Sequence, residues 1–211
     1  MSDTVYIYGL GFSSFVRSVQ LCCEEKGLAY QSGLAPNGIE IPFKSPEHLK
    51  LNPYGKMPVL LHNDLVLFET TTICRYLDQQ FSGPALQPSD TRARALVDQC
   101  CAEIALYIDQ ALVRELLLEF AFPKGPDGSV RMDVVEEKLP AARVALTRVK
   151  ELLGEKPFIC GDSYTIADAL LTPMLDYIAK LPMGQDLIRN GKLHAYLDRM
   201  RTRPSGQKIL R

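Results

Sequence analysis

The chain has 211 residues, of which 46% are hydrophobic, and a formal net charge of −1. This near-neutral balance argues against a nucleic-acid-binding protein or one that binds an anionic membrane surface, and the length suffices to bury a core in one large or two small domains. No basic segment followed by a long apolar run opens the chain, and no stretch approaches the roughly 20 apolar residues of a membrane span, so we expect neither a signal peptide nor a transmembrane helix.

Cysteine usage indicates reduced thiols. The chain contains two neighbouring cysteine pairs and two single cysteines, namely Cys22, Cys23, Cys74, Cys100, Cys101 and Cys160. Such spacing does not resemble a disulfide framework. The absence of a CxxC motif argues against a zinc ribbon and a dithiol redox site. We therefore expect buried free thiols in a cytoplasmic protein, and no metal cofactor.

The first part of the chain predicts a β-α-β unit. Residues 4–8 are β-branched and aromatic, as in a buried strand, and a turn follows at residues 11–14. Apolar residues then recur at helical spacing over residues 15–26, and Gly27 ends that helix. Residues 28–34 read as a second strand, which such a crossover would place parallel to the first with a right-handed connection.

A proline-rich loop and a β-hairpin come next. Residues 35–50 predict a loop with at most a short helix near Glu47. Two apolar runs flank the turn around Asn63 and Asp64, which is a hairpin signal. An amphipathic helix is expected to begin at Glu69-Thr70 and to end near Phe81. Residues 81–90 are rich in Pro, Gly and Ser, as in a linker.

Beyond Asp90 the pattern is helical. Apolar spacing predicts one long helix that reaches about Phe120, and residues 122–129 break it. The next helix should end at Leu153 and bend at Pro140. One or two short closing helices are expected over residues 184–203.

Two helix starts in this half carry capping signals. Asp133 with Glu136 is a plausible capping pair for the helix that ends at Leu153. Thr165 with Asp168 predicts the same arrangement ahead of an apolar helix over residues 169–180, which should lie at the centre of the helical half.

Ser13 and Ser14 lie where the first strand turns into the first helix. Serine at a helix start is usually a cap. One of these hydroxyls could instead donate a hydrogen bond to a bound thiolate, because charge-assisted hydrogen bonds are strong and the helix N-terminus adds a favourable field. The residues alone leave both possibilities open.

Residues 52–77 offer an extended ligand three features, which are an X-Pro peptide at a strand entry, a carboxylate and an anion-friendly helix start. Met57-Pro58 is either an edge-strand entry or a cis peptide whose Met57 backbone pairs with a peptide ligand. Glu69-Thr70 is either an acidic helix start or a site for a zwitterionic amino-acid head group. Lys44 and Lys56, otherwise solvated, could meet a second carboxylate.

Four ordered motifs, FSSFVRSVQLCCEEKGL, KSPEHLKLNPYGKMP, DLVLFETTTICRYL and FICGDSYTIAD, strongly resemble the cytosolic glutathione transferases. Residues 44–77 look most like the phi-type members, and the serine motif is similar to the delta type. The resemblance implies a thioredoxin-like α/β domain at 1–80 that binds glutathione, a linker at 81–90 and an all-α domain at 91–211. It implies conjugation of the glutathione thiolate to hydrophobic electrophiles, with glutathione as co-substrate.

By resemblance, Ser13 matches the thiolate-stabilising serine, with Ser14 and Tyr8 as alternates. Met57 before Pro58 matches the residue that holds the cysteinyl part of glutathione. Glu69 and Thr70 match the pair that holds the γ-glutamyl end, although threonine replaces serine. Thr165 and Asp168 match the family's helix cap, which is a folding element.

The glycyl end departs from the family pattern. Lys44 matches the lysine that meets the glycyl carboxylate. Phe43, however, stands where many phi-type members have histidine, and Lys56 stands where they usually have glutamine. Lys56 could restore the lost cation.

The position of Ser13 corresponds to the nucleophilic cysteine of thioredoxin-like folds, so a dithiol mechanism is unavailable here. The resemblance also implies a homodimer, with Tyr54 inserted into the partner, and an electrophile pocket between the domains. We expect that pocket to be lined by Leu10, Phe12, Phe15, Tyr107, Ala111 and Arg114. The alternatives are a glutathione-dependent peroxidase or isomerase on the same site and a non-catalytic binding protein of this fold.

Overall fold

The computed structural model describes residues 4–188 and 191–210, which form two compact units. Unit 1 comprises the chain up to Ser89 together with the C-terminal segment that begins at Arg203. Unit 2 is Asp90–Thr202.

Unit 1 contains a four-stranded mixed sheet in the order β2-β1-β3-β4. Its strands are β1 (Val5–Tyr8), β2 (Tyr30–Gly33), β3 (Val59–His62) and β4 (Leu65–Phe68). β1 and β2 are parallel, and the other neighbouring pairs are antiparallel. Its helices are α1 (Ser14–Lys26), α2 (Pro46–Leu51), α3 (Thr70–Gln80) and α10 (Pro204–Ile209). This architecture confirms the predicted thioredoxin-like unit with its crossover and hairpin.

The connection from α1 to β2 explains why β2 is shorter than the predicted strand. Gly27 ends α1 with a left-handed φ of 68°, and its N–H points to the carbonyls of Cys23 and Glu24. The N–H of Leu28 donates to the Cys23 carbonyl at 2.9 Å. Because Leu28 completes the helix cap, the chain joins β1 only from Tyr30 onward.

Ion pairs hold the C-terminal segment against α1. The Arg203 guanidinium donates to both carboxylate oxygens of Glu25, at 2.8 and 2.5 Å. Lys208 pairs with Glu24 at 2.6 Å. The bidentate geometry of the Arg203–Glu25 contact is the stronger form of an arginine–carboxylate pair.

Unit 2 is built from helices around a buried core. Its α-helices are α4 (Thr91–Glu103), α5 (Leu118–Ala121), α6 (Met132–Leu153), α7 (Ile166–Lys180), α8 (Gly184–Ile188) and α9 (Lys192–Thr202). No helix in the described part of the chain combines the length and apolar character needed to cross a bilayer.

The predicted long helix is only partly α-helical. Two π-helical stretches, Ile104–Ile108 and Gln110–Leu117, separate α4 from α5. Apolar spacing predicted the helical face but not these wider turns, because both helix types bury one side of a cylinder. π-turns of this kind are frequent at functional sites.

One of the two predicted caps is present. The Asp168 carboxylate accepts hydrogen bonds from the backbone N–H of Thr165 at 2.8 Å and from its hydroxyl at 3.0 Å, and the two residues form a capping box. The capping prediction for Asp133 was wrong. Arg131, held by Glu119, is the N-terminal flanking residue of α6, so Asp133 already lies inside the first helical turn.

Candidate active site

Ser13 lies at the N-terminus of α1, as predicted. Its backbone is extended, with φ −69° and ψ 127°, and its Oγ accepts the Val16 N–H at a long 3.4 Å. Since Oγ acts here as an acceptor, its own proton is available to donate. Ser14 is the first residue of the helix and is only 7% exposed, so it is the less accessible of the two hydroxyls.

Tyr8, the other alternate donor, is fully buried in the core. Its hydroxyl donates to the Ile41 carbonyl at 2.9 Å. Burial raises the pKa of Tyr8. The tyrosine proton is therefore already committed to a backbone acceptor.

The turn between β1 and α1 lies next to Met57. Gly9 has a φ of 152°, and a Cβ added there would meet the Val16 side chain at 2.5 Å. Only glycine therefore fits where the strand passes the helix. The next N–H, that of Leu10, donates to the Met57 thioether sulfur at 3.2 Å. This contact brings the predicted cysteinyl-binding residue to the loop that carries Ser13.

The Met57-Pro58 peptide bond is cis, which confirms the predicted cis geometry, and pairing of the Met57 backbone with a ligand stays a prediction. β3 begins directly afterwards at Val59, which pairs with Tyr8 on one side and Phe68 on the other. Within the described residues, the backbone N–H and C=O of Met57 have no hydrogen-bond partner. They are available to an extended peptide ligand.

Glu69 flanks the N-terminus of α3, as predicted, in an unusual backbone conformation. Its φ is 71° and its ψ 109°, values that a non-glycine residue rarely adopts. Its side chain is exposed and makes no capping bond, while Thr70 is only 8% exposed. The free N–H groups of the helix start and the nearby carboxylate together suit a zwitterionic group.

The two predicted glycyl-end lysines, Lys44 and Lys56, are exposed and belong to neighbouring loops. Gly55 has a φ of 57°, and a Cβ added there would lie 3.6 Å from the Lys44 Cγ. The stem of Lys44 therefore passes beside the residue that precedes Lys56. The structure also places His48 between the two loops, which our sequence reasoning missed because nothing in its local pattern separates it from a surface histidine of a short helix.

The predicted electrophile-contacting residues fall into two groups. In unit 1, Phe12 is 57% exposed, and Leu10 and Phe15 are half-buried. In unit 2, Tyr107 is 70% exposed and Ala111 is half-buried.

Arg114 is exposed and belongs to the second π-helical stretch, where its Nε donates to the Asp109 carboxylate at 2.7 Å. Two clefts of about 420 and 260 Å³ lie on unit 2 around Lys192. None of the predicted site residues lines either of them.

Comparison with known families covers most of the chain. Residues 7–85 match the family model described as "Glutathione S-transferase, N-terminal domain", and residues 113–204 match "Glutathione S-transferase, C-terminal domain".

Individual relatives extend over nearly the full length. The chain is 26% identical to glutathione S-transferase F12 of Arabidopsis thaliana, over 98% of this chain and 97% of the relative. It is 29% identical to a glutathione S-transferase of Pseudomonas putida, over 87% and 84%. A theta class glutathione S-transferase of Xanthomonas axonopodis pv. citri, solved with glutathione bound, superposes with a TM-score of 0.81 at 27% identity, over 98% and 96% of the two chains.

Proposed function

Because the chain belongs to the glutathione S-transferase family and is similar to its phi-type members, we propose that it conjugates glutathione to hydrophobic electrophiles. Three binding elements in unit 1 support this proposal: the serine at the start of α1, the cis peptide ahead of β3 and the acidic start of α3. The observation that carries it is the contact of the Met57 sulfur with the Leu10 N–H. This contact joins Met57, whose backbone is proposed to bind the peptide ligand, to the loop that carries the proposed catalytic residue Ser13.

In the proposed reaction, the Ser13 hydroxyl donates a hydrogen bond to the glutathione sulfur. The thiol proton leaves to solvent, and the thiolate attacks the electrophilic carbon to form the new C–S bond. With a chloronitrobenzene, the C–Cl bond then breaks and chloride leaves to solvent with the electron pair of that bond. Lowering a thiol pKa by two units requires roughly 2.7 kcal/mol. A charge-assisted hydrogen bond and a helix N-terminus can supply most of this.

The remaining site residues hold the tripeptide. We propose that the Met57 backbone pairs with the cysteinyl unit and that Glu69 takes the γ-glutamyl ammonium. The Thr70 hydroxyl and the α3 N–H groups take the adjacent carboxylate. Lys44 and Lys56 meet the glycyl carboxylate, and Phe12 and Tyr107 are exposed apolar candidates to contact the electrophile.

Replacing Ser13 tests the catalytic assignment. We expect Ser13→Ala to raise the pKa of the bound glutathione thiol by about two units and to lower kcat/KM by roughly 100-fold. Thiolate absorbance of the bound complex, titrated in the ultraviolet, measures the former. Ser14→Ala is the matched control, and we expect it to leave both quantities near those of the unmutated protein. Unchanged conjugation in Ser13→Ala would show the assignment to be wrong, and an unmutated protein that binds no glutathione would remove the whole proposal.

Substrate assays separate conjugation from the alternative activities of the same site. A chloronitrobenzene reports conjugation, a hydroperoxide reports peroxidase activity and a cis-dienoic acid reports isomerisation. The proposal expects the first to be turned over and the activity to depend on Ser13.

The proposal includes a homodimer and a cytoplasmic location. Tyr54 is 70% exposed and packs edge-on against Phe68 of β4, at 6.1 Å between ring centroids. Val66, two residues before Phe68 on the same strand, is 43% exposed, so these side chains offer an apolar surface to a second copy. The free cysteines fit a reducing compartment.

A further inference from the structure

His48 is a buried polar residue next to the proposed glutathione site. It lies in α2, is 0% exposed, and its backbone N–H donates to Ser45 Oγ at 3.2 Å. Its ring packs between Tyr8, at 4.8 Å between centroids, and Phe43, at 5.2 Å. An imidazole in such surroundings needs a partner for each ring nitrogen.

Each ring nitrogen of His48 is hydrogen-bonded to the backbone of a different lysine. The Lys44 N–H donates to Nδ1 at 2.9 Å, and Nε2 lies 3.1 Å from the Lys56 carbonyl oxygen. A backbone N–H can only donate, so Nδ1 must be the unprotonated nitrogen. The ring is therefore neutral with its proton on Nε2, from which it donates to Lys56. One imidazole thus joins the two loops.

The loop that contains Lys44 has a conformation that needs such support. Lys44 has a left-handed φ of 64°, which is costly for lysine. The Lys56 carbonyl also accepts a hydrogen bond from Asn52 Nδ2 at 3.0 Å. Neither lysine has an acidic partner among the described residues. The Lys44 Nζ lies over the Phe43 ring, 5.6 Å from its centroid, and both ammonium groups keep N–H donors for a carboxylate ligand.

We propose that His48 is a positioning residue for the glycyl end of glutathione. By joining the backbones of Lys44 and Lys56, it keeps two ammonium groups converged on one carboxylate. This inference rests on the proposed function, since it concerns the same ligand. It also accounts for how the chain binds the glycyl end with Phe43 and Lys56 where phi-type members usually carry histidine and glutamine.

Three substitutions dissect the two bonds. His48→Asn retains an acceptor near Nδ1 and loses the bond to Lys56, whereas His48→Gln retains a donor near Nε2 and loses the bond to Lys44. His48→Phe keeps an aromatic ring and removes both hydrogen bonds. We expect the dissociation constant for glutathione to rise about threefold to tenfold in each polar variant and about tenfold or more in the Phe variant. kcat should stay near its unmutated value, because Ser13 is untouched.

A second ligand distinguishes positioning from loss of folding. The glycinamide analogue of glutathione differs only in lacking the glycyl carboxylate, so its affinity should not change in any His48 variant. Isothermal titration of both ligands, with thermal unfolding of each protein, measures these effects. An equal loss of affinity for both ligands, or no loss for either, overturns the inference.

The unmutated protein separates the inference from the proposed function. If it binds neither ligand, the glutathione proposal fails. If it binds both equally well, glutathione binding stands and the lysine pair does not meet the glycyl carboxylate, so the inference fails alone.

The tautomer provides a test without mutation. ¹⁵N-histidine NMR should assign a neutral His48 with its proton on Nε2. Protonation on Nδ1 in the folded protein at neutral pH would contradict the bonding scheme on which the inference depends.

Discussion

Glu69 combines a strained backbone with a carboxylate that has no partner among residues 4–188 and 191–210. Its φ of 71° is a conformation that costs a non-glycine residue about 1–3 kcal/mol, and the surrounding structure must maintain it. The neighbouring elements impose this conformation. β4 ends at Phe68 and α3 begins at Thr70, so Glu69 alone must turn the chain. Such strain is typical of ligand-binding positions and supports a binding role.

Two substitutions at Glu69 separate binding from stability. Glu69→Gln keeps the backbone strain and removes the charge, whereas Glu69→Gly removes both. We expect each to weaken glutathione binding by about tenfold, because the ligand ammonium loses a charge-assisted partner. Only the glycine variant should gain stability, by about 1 kcal/mol in urea unfolding. Unchanged affinity in both variants would exclude Glu69 from the head-group site.

At single residues, sequence reasoning found the groups that lie at element boundaries. Ser13 and Glu69 were predictable because a strand end followed by a helix start is legible in local periodicity. His48 was not, since its importance depends on two backbone groups, at Lys44 and Lys56, that only the folded loops bring together.

Among the elements, the start of α7 shows what a cap requires. The Asp168 carboxylate is fully buried and accepts four hydrogen bonds. The donors are the backbone N–H groups of Ile159 and Thr165 and the hydroxyls of Thr165 and Tyr196. Burial nevertheless raises the pKa of Asp168. The hydrogen bonds of the Asp168 carboxylate connect α7 to the preceding loop and to α9.

Asp168 and Asp133 form a matched pair for mutation. We expect Asp168→Asn to destabilise the protein by about 2–4 kcal/mol, because buried donors lose their acceptor. Asp133→Asn should change stability by less than about 0.5 kcal/mol, since Asp133 caps nothing. Urea denaturation measures both. Similar losses of stability in the two variants would contradict the assignment of a cap to Asp168 and not to Asp133.

The two capping sequences look alike because each places an acidic residue three positions after a possible N-cap residue. Asp168 follows Thr165, and Glu136 follows Asp133. Local spacing could not tell which would be used. The difference arises from Arg131, which Glu119 holds from α5 at 2.5 and 3.0 Å and which thereby sets where α6 begins.

For the whole molecule, the edge strand β4 bears directly on assembly. β4 is the outermost strand of the sheet, and exposed edges of this kind are usually covered or protected. Tyr54 and Val66 lie exposed at this strand, which supports a partner that covers it. In a twofold dimer each such residue is used twice.

Tyr54→Ala tests the proposed dimer. A buried interface tyrosine typically contributes 2 kcal/mol or more, which is roughly a 30-fold change in the dimer dissociation constant. We expect sedimentation velocity to find a dimer for the unmutated protein and a shift toward monomer for the variant. Ile39→Ala, at a residue that is 71% exposed in the loop after β2, is the control and should leave the dimer intact. A monomeric unmutated protein would contradict the proposal.

The sequence by itself determined the order and type of most elements, the thioredoxin-like and helical halves and the family. These follow from local causes: strand and helix periodicity, turn residues, capping spacing and motifs that are contiguous in the chain. The same local signals identified Ser13, Met57 and Glu69 as candidates.

Only the tertiary structure decided how those candidates are supported. The bond from Leu10 to the Met57 sulfur and the return of Arg203 to Glu25 join residues far apart in the chain, and the bridge through His48 joins two separate loops. Such contacts depend on the distances between packed elements, and the apolar pattern of a segment carries no record of those distances. The same reason applies to the π-turns, because the pattern records which face is buried but not how widely the backbone turns.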